Sequence, residues 1–225
     1  MESHVSYPSQ KPFSLDEVTR QCRDYHYFME KRRSLRFFSD HPVSREAIEQ
    51  IIMSASTAPS GAHKQPWTFC AVSNSGIKSK IRAAAEAEEY RSYNGRMSEE
   101  WLRDLQPFGT DWRKPFLETA PWLIIVFRQI YGLGEAGEKQ THYYVNESVG
   151  IACGFLLTAI HQAGLVALTH TPSPMDFLTK LLERPANERP FLLIPVGYAA
   201  PDATVPDLRR KSSEEVIAWY ESGEG

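Results

Sequence analysis

The first candidate for chemistry is a basic cluster that contains Arg32, Arg33, Ser34 and Arg36. Guanidinium groups present forked donors that match phosphate oxygens in pairs, and a serine adds a neutral donor at short range. The cluster therefore predicts a site for a dianionic phosphate monoester. The alternative is a solvated basic face or a contact with a polyanion, which is the commoner structure for such a cluster alone.

Three further residues could bind both charged groups of an amino acid. Glu89 and Tyr93 stand four apart on a predicted helix and so share one face. If Lys114 folds toward them, the three supply an anion, a phenol and a cation, which complement an ammonium and a carboxylate. The alternative is a charged surface helix with a solvated lysine, and spacing alone favours that alternative.

The loop over residues 58–67 could bring backbone close to a flat ligand. Two prolines and a glycine there bracket small and polar residues. A helix capped by Ser44 precedes the loop, and an apolar strand at 67–72 follows it. The order of basic cluster, helix, loop and strand is more specific than any of its parts.

Composition limits the classes of function. The 225 residues suffice for one sizeable core, and a net charge of −3 gives no bulk attraction to nucleic acid or to an anionic membrane. No apolar run has the length of a signal peptide or a membrane span, so we expect a soluble, cytoplasmic protein. Three widely spaced cysteines without metal-ligand spacing predict buried thiols and no metal site.

Helical patterns alternate with short apolar runs along the chain. The predicted helices, besides the one after Ser44, cover about 14–31, 75–93, 99–105, 142–163, 176–182 and 213–220. The predicted strands cover 67–72, 121–127, 165–169 and 191–198, and 132–140 is predicted to be a loop. We predict one α+β domain over 1–225 with a central mixed sheet flanked by helices, a flexible tail at 1–13 and a lid at about 86–112.

These features together resemble the FMN-dependent nitroreductase superfamily and, within it, the iodotyrosine deiodinase family. The resemblance covers about 28–216 and rests on 32–36, 57–63, 66–69, 168–172, 196–198 and 203–211. It implies a nitroreductase-like fold and an intertwined homodimer with the helix at 142–163 in its centre. Vertebrate members carry a membrane anchor ahead of the catalytic domain, and we expect this chain to be a form without one.

The resemblance also implies that the cofactor is FMN. The chain has neither the glycine pattern of a Rossmann dinucleotide site nor that of a P-loop, which suits a mononucleotide held by arginines. The implied cofactor-binding residues are Arg32, Arg33, Ser34, Arg36, Pro59, Ser60, Gly61, Thr169, His170, Thr171 and Arg210. The arginines bind the phosphate, and the Thr171 hydroxyl contacts flavin N5, which favours transfer of single electrons.

The substrate-binding residues follow from the same resemblance. Glu89, Tyr93 and Lys114 bind the zwitterion of a halotyrosine, and the Ala62 N–H binds its phenolate oxygen, so Ala62 and Thr171 are the expected catalytic residues. Trp101 and Leu105 cover the halogenated ring, although aromatic and apolar residues at helical spacing are more often packing alone.

The implied activity is reductive dehalogenation of halotyrosines, namely 3-iodotyrosine, 3,5-diiodotyrosine and the bromo and chloro analogues. The implied partners are this substrate, a second copy of the chain and an unidentified reductant. A nitro- or quinone reductase that uses NAD(P)H is one alternative, and a non-catalytic flavin-binding or ligand-sensing protein is another. Two features depart from the vertebrate pattern, a shortened segment at 172–176 and His170 between two threonines.

Overall fold

The computed structural model describes residues 4–7 and 11–221. Its helices are α1 Leu15–Glu30, α2 Arg45–Ser56, α3 Ser75–Arg91, α4 Glu99–Leu105, α5 Phe116–Thr119, α6 Val145–Gln162, α7 Asp176–Leu181 and α8 Ser213–Val216. Its strands are β1 Trp67–Val72, β2 Trp122–Gln129, β3 Tyr131–Leu133, β4 Lys139–Thr141, β5 Val166–Ala167 and β6 Glu188–Gly197. The predicted strands and long helices are confirmed, with bounds that differ by a few residues.

The main sheet has the strand order β1-β2-β6-β5. Its neighbouring strands all pair antiparallel, with β2 and β6 in the centre. The parallel part of the predicted mixed sheet is an isolated bridge between Ser34 and Ala167. That bridge anchors the basic cluster at the β5 edge, because the Leu35 N–H donates to the Ala167 carbonyl over 3.1 Å.

Both faces of the sheet are covered. Along β2 the side chains alternate, so that Ile124 and Val126 pack in the core formed with α2 and α6. Leu123, Ile125 and Phe127 point to the opposite face and pack in a second core with α3, α5 and α7. The continuous apolar run of this strand is therefore explained by burial on both sides.

Three local predictions are wrong. The segment at 132–140 contributes to a hairpin, in which Tyr131 pairs with Thr141 and Leu133 with Lys139. The last helix ends at Val216 rather than near residue 220, because nothing in the described chain buries its side chains. Of the three cysteines only Cys153 is buried, whereas Cys22 is exposed and Cys70 half-buried.

The two ends of the chain have little packing of their own. Residues 1–3 and 8–10 of the predicted tail lie outside the described residues, and 11–13 are exposed without regular structure. The helix α1 has no buried residue, although it is 16 residues long. In the described ranges no helix combines the length and the hydropathy needed to cross a bilayer.

Candidate active site

The basic cluster and a distant arginine line one cavity. The chain from α1 to the sheet edge carries Arg32, Arg33 and Arg36, and the segment after Pro206 returns Arg210 to them. The Arg210 Nη2 donates to the Arg32 carbonyl over 2.9 Å, and the Arg33 guanidinium donates to the Pro206 carbonyl. The cavity has a volume of about 330 Å³ and also contacts Ser34, Thr169 and Leu168.

Among the described residues these arginines have no counterion. In the described part of the chain none of Arg32, Arg33, Arg36 and Arg210 forms an ion pair, whereas the neighbouring Arg209 pairs with Glu215. Burial lowers the pKa of Arg32, and the charges of Arg210 and Arg33 lower it further. An electropositive cavity of this kind fits a dianionic phosphate, whose charge would offset that repulsion.

The predicted charged trio is brought together in the fold. The Lys114 Nζ lies 3.3 Å from the Glu89 Oε2, with the two side chains 5% and 11% exposed. The same Nζ lies 5.5 Å from the centre of the Tyr93 ring, whose hydroxyl donates to the Thr110 carbonyl over 3.3 Å. A solvated lysine beside a surface helix, the alternative from spacing, is therefore wrong.

Lys114 is also anchored by its own segment. Its Nζ donates to the Asp111 carbonyl and to the Thr110 Oγ1, and its backbone N–H donates to the Glu86 carboxylate over 2.7 Å. Burial raises the pKa of Glu89 and lowers that of Lys114, while their mutual attraction opposes both shifts. Each charge of the pair is thus partly desolvated and gains from a further partner of opposite sign.

A cavity of about 230 Å³ lies over this trio. The predicted residues Trp101, Leu105, Thr169 and Thr171 line it. The sequence prediction missed Met97 and Phe116, which also line it. Met97 follows the irregular turn Ser92–Arg96, so helical spacing from Tyr93 could not have found it. Arg36 lines both this cavity and the arginine cavity, which are therefore adjacent.

The predicted flavin edge at 169–171 is an extended segment beside β6. His170 exchanges two backbone hydrogen bonds with Leu193, of 2.9 and 3.0 Å, so the side chains alternate and those of Thr169 and Thr171 remain exposed. The His170 ring is buried edge-on to Phe116, with ring centres 5.7 Å apart. Burial, with Lys114 and Arg36 nearby, lowers the pKa of His170 to about 3, so the imidazole is neutral.

The loop with Pro59, Ser60, Gly61 and Ala62 lines neither cavity. It packs against the start of α6, where a Cβ on Gly61 would lie 2.8 Å from the Tyr143 carbonyl oxygen. One copy of the chain therefore does not bring this part of the predicted site to the trio.

The Ala62 backbone has an uncommon conformation. Ala62 adopts a left-handed conformation with φ 48° and ψ 32°, which is uncommon outside glycine and recurs at functional sites. The N–H groups of His63, Lys64 and Gln65 donate to Ser60 or Gly61 over 3.0, 3.1 and 2.9 Å. Within the described residues the Ala62 N–H has no such acceptor, so it is available to an acceptor outside the chain.

Known proteins share this fold and sequence. Residues 29–198 match the model of the Nitroreductase family. The chain is 64% identical to an iodotyrosine deiodinase of Haliscomenobacter hydrossis over 92% of this chain and 94% of the relative. It is 46% identical to an iodotyrosine deiodinase of Danio rerio over 95% of this chain and 72% of the relative.

A solved structure supports the same relationship. The crystal structure of oxidized iodotyrosine deiodinase bound to FMN and 3-iodo-L-tyrosine superposes with a TM-score of 0.74 and 30% identity, over 88% of this chain and 99% of that chain. The nitroreductase-like fold is thereby confirmed. The chain belongs to the nitroreductase family and, within it, to the iodotyrosine deiodinases.

Proposed function

We propose that this protein is an FMN-dependent reductive dehalogenase of halotyrosines, with 3-iodotyrosine as the reference substrate. The observation that carries the proposal is the adjacency of two cavities that share Arg36. One is lined by arginines without counterions and the other by a buried carboxylate, ammonium and phenol. A phosphorylated cofactor and a zwitterionic substrate are the ligands that these two charge patterns complement.

FMN fits the first cavity. Arg32, Arg33, Arg36 and Arg210 would bind its phosphate together with the Ser34 hydroxyl. The exposed Thr169 lines both cavities, and the exposed Thr171 lines the substrate cavity. Reduced FMN would supply the two electrons that, with one proton, convert 3-iodotyrosine to tyrosine and iodide. The protein residues hold and orient the reactants.

The trio recognises the amino acid backbone of the substrate. The Glu89 carboxylate accepts hydrogen bonds from the ammonium, while the Lys114 Nζ and the Tyr93 hydroxyl donate to the carboxylate. All three groups line the same cavity, and the buried Glu89–Lys114 pair has little solvent to screen it. Met97, Trp101 and Leu105 exclude water above the aromatic ring, so the lid over about 86–112 closes on its own substrate.

The phenolate of the substrate is bound by a second copy of the chain. Among the described residues the Ala62 N–H has no acceptor, and its loop lines neither cavity, so the proposal requires a partner chain to supply this N–H. A homodimer is also supported by surfaces that one copy leaves uncovered: α1 buries no residue, and Ile151 and Phe155 of α6 are each 43% exposed. Two small residues, Gly150 and Gly154, leave room for a second helix to approach α6.

The alternatives fit the buried charges less well. A nitro- or quinone reductase acts on uncharged rings, and such substrates would leave the desolvated Glu89 and Lys114 without a ligand of opposite charge. A ligand-sensing flavoprotein would use the same trio, and it differs from an enzyme only in turnover.

The test is a purification followed by an iodide assay. We expect a yellow protein that contains FMN and that releases iodide from 3-iodotyrosine when dithionite supplies the electrons. A colourless chain that does not take up added FMN would contradict the proposal. Faster turnover of a nitroaromatic compound with NAD(P)H would favour the reductase, and tight binding of 3-iodotyrosine without iodide release would favour the sensor.

A further inference from the structure

Arg96 joins two parts of the candidate site that are far apart in sequence. Its Nη1 donates to the Glu88 Oε2 over 2.7 Å and to the Ser173 carbonyl over 3.2 Å. Glu88 precedes the substrate-binding Glu89 on α3, and Ser173 lies two residues after Thr171. A single guanidinium therefore spans from the zwitterion-binding helix to the segment at the flavin edge.

The backbone around Arg96 needs such support. After α3 the chain forms a π-helical turn, Ser92–Arg96, in which Asn94 and Gly95 leave helical geometry. Tyr93 is carried on this irregular turn, and π-turns are frequent where function requires a side chain in an unusual direction. The turn is closed by a backbone bond of 2.9 Å from Met97 to Ser92, but that bond does not tie it to the flavin edge.

No other hydrogen bond joins the segment 92–105 to the segment 169–175 within the described ranges. Tyr93 contacts Thr110, and the remaining bonds of 92–105 are local. The position of the lid relative to the Thr171 hydroxyl therefore depends on the Arg96 contact more than on any other polar contact.

We propose that Arg96 is a positioning residue, which couples closure of the lid over the substrate to the flavin edge by binding Glu88 and the Ser173 carbonyl together. The inference rests on the proposed function and assigns Arg96 no contact with substrate or cofactor. It follows that loss of Arg96 weakens halotyrosine binding without weakening FMN binding.

The chain offers a matched control. The Arg91 guanidinium also pairs with Glu88, through the Oε1 at 2.6 Å. Among the described residues, Arg91 forms no hydrogen bond with the segment around Ser173. Both arginines are exposed, and both would be changed to methionine, which keeps the apolar stem and removes the guanidinium. The two variants therefore differ in the bridge to the flavin edge and share the loss of an ion pair with Glu88.

The experiment titrates the FMN holoenzymes with 3-iodotyrosine, follows iodide release under dithionite, and measures amide hydrogen exchange over 92–105 with substrate bound. We expect Arg96→Met to raise Kd and KM about three- to tenfold and to speed exchange there, with FMN affinity unchanged. Arg91→Met stays within about twofold of the wild type. Arg96→Lys, which keeps the charge, recovers part of the lost affinity.

Equal effects of Arg96→Met and Arg91→Met on Kd and exchange overturn the positioning role. So does an Arg96→Met protein that fails to fold or to retain FMN, because the role requires that cofactor binding be independent of Arg96. A wild-type holoenzyme that neither binds nor dehalogenates 3-iodotyrosine overturns the proposed function first, and this inference with it.

Discussion

The Glu89–Lys114 pair is buried more deeply than stability alone would favour. Moving two charges out of water costs several kcal/mol per ion, and their mutual attraction repays this only with good geometry and additional hydrogen bonds. Lys114 has such bonds to Asp111 and Thr110. Among the described residues, no side chain other than that of Lys114 donates to the Glu89 carboxylate. In the proposed function, a substrate ammonium supplies what Glu89 lacks.

Replacement of Glu89 tests this role at the level of a single residue. We expect Glu89→Gln to weaken 3-iodotyrosine binding by about thirtyfold or more, because Lys114 is left buried without its counterion and the ammonium loses its acceptor. FMN retention should be unchanged, since Glu89 lines only the substrate cavity. Glu100→Gln on the exposed lid helix is the control, and joint loss of FMN and substrate would refute the assignment.

The pH dependence of binding follows from the raised pKa of Glu89. As pH falls through that pKa the carboxylate takes up a proton and no longer attracts the ammonium, so affinity for 3-iodotyrosine declines. Because burial raises the pKa of Glu89 above the ordinary glutamate value of 4.5, the decline in affinity should be centred at a pH above 4.5. Titrations of wild type and Glu89→Gln across this range should show the decline in the wild type and its absence in the variant. The same decline in both proteins would assign it to another group.

At the scale of elements, the phosphate cavity depends on two segments that meet only in the fold. Residues 32–36 reach it from α1, and the extended segment at 202–211 returns to cover it. Two hydrogen bonds to backbone carbonyls join the two segments. Arg33 donates to the Pro206 carbonyl, and Arg210 donates to the Arg32 carbonyl. These contacts orient the guanidiniums before the ligand arrives.

The returning segment can be tested by exchanging its arginines one at a time. We expect Arg210→Met to weaken FMN binding about tenfold or more, because Arg210 has no carboxylate partner and faces the cavity. Arg209 also lines the cavity, but Arg209→Met should have a smaller effect because its guanidinium is already paired with Glu215. Flavin fluorescence titrations of the two apoproteins compare them, and equal losses would show that only net charge matters.

The elements differ in how far the sequence could predict them. β2 and α6 carry long apolar patterns, and their bounds could be predicted from periodicity. The hairpin of β3 and β4 could not, because its strands have three residues each and none of their residues is buried, so there is no hydrophobic alternation.

The site was less predictable than the elements, because its parts meet through non-local pairing. Nothing in the spacing of Glu89, Tyr93 and Lys114 shows that the irregular segment 106–114 returns the lysine to α3, and that expectation came from family resemblance alone. The burial of the unpaired His170 Nε2 likewise follows from the bridge to Leu193, which pairs segments distant in sequence.

At the scale of the whole molecule, the proposed function makes assembly part of the chemistry, because Ala62 lies apart from the trio. If a second copy supplies the Ala62 N–H, each site combines the trio of one chain with the loop of the other. The uncovered α1 and the exposed apolar residues of α6 are the surfaces on which two copies would meet.

Mixing two inactive variants tests the shared site. Glu89→Gln weakens capture of the substrate and Ala62→Pro removes the N–H donor, so each homodimer should release little iodide at 3-iodotyrosine concentrations well below the Kd of the Glu89→Gln variant. After unfolding and refolding together, random pairing should restore about a quarter of wild-type iodide release, since half the dimers are mixed and each holds one intact site of two. If the refolded dimers retain FMN but recover no iodide release, the whole site lies in one chain.

The central claim is that buried charges select a zwitterion next to a bound flavin. The most direct measurement is a set of flavin fluorescence titrations of the FMN holoenzyme with 3-iodotyrosine, 3-iodotyramine and 2-iodophenol. The account predicts that removing the carboxylate, or both charged groups, lowers affinity by about thirtyfold or more. Equal affinities for the three ligands would contradict it.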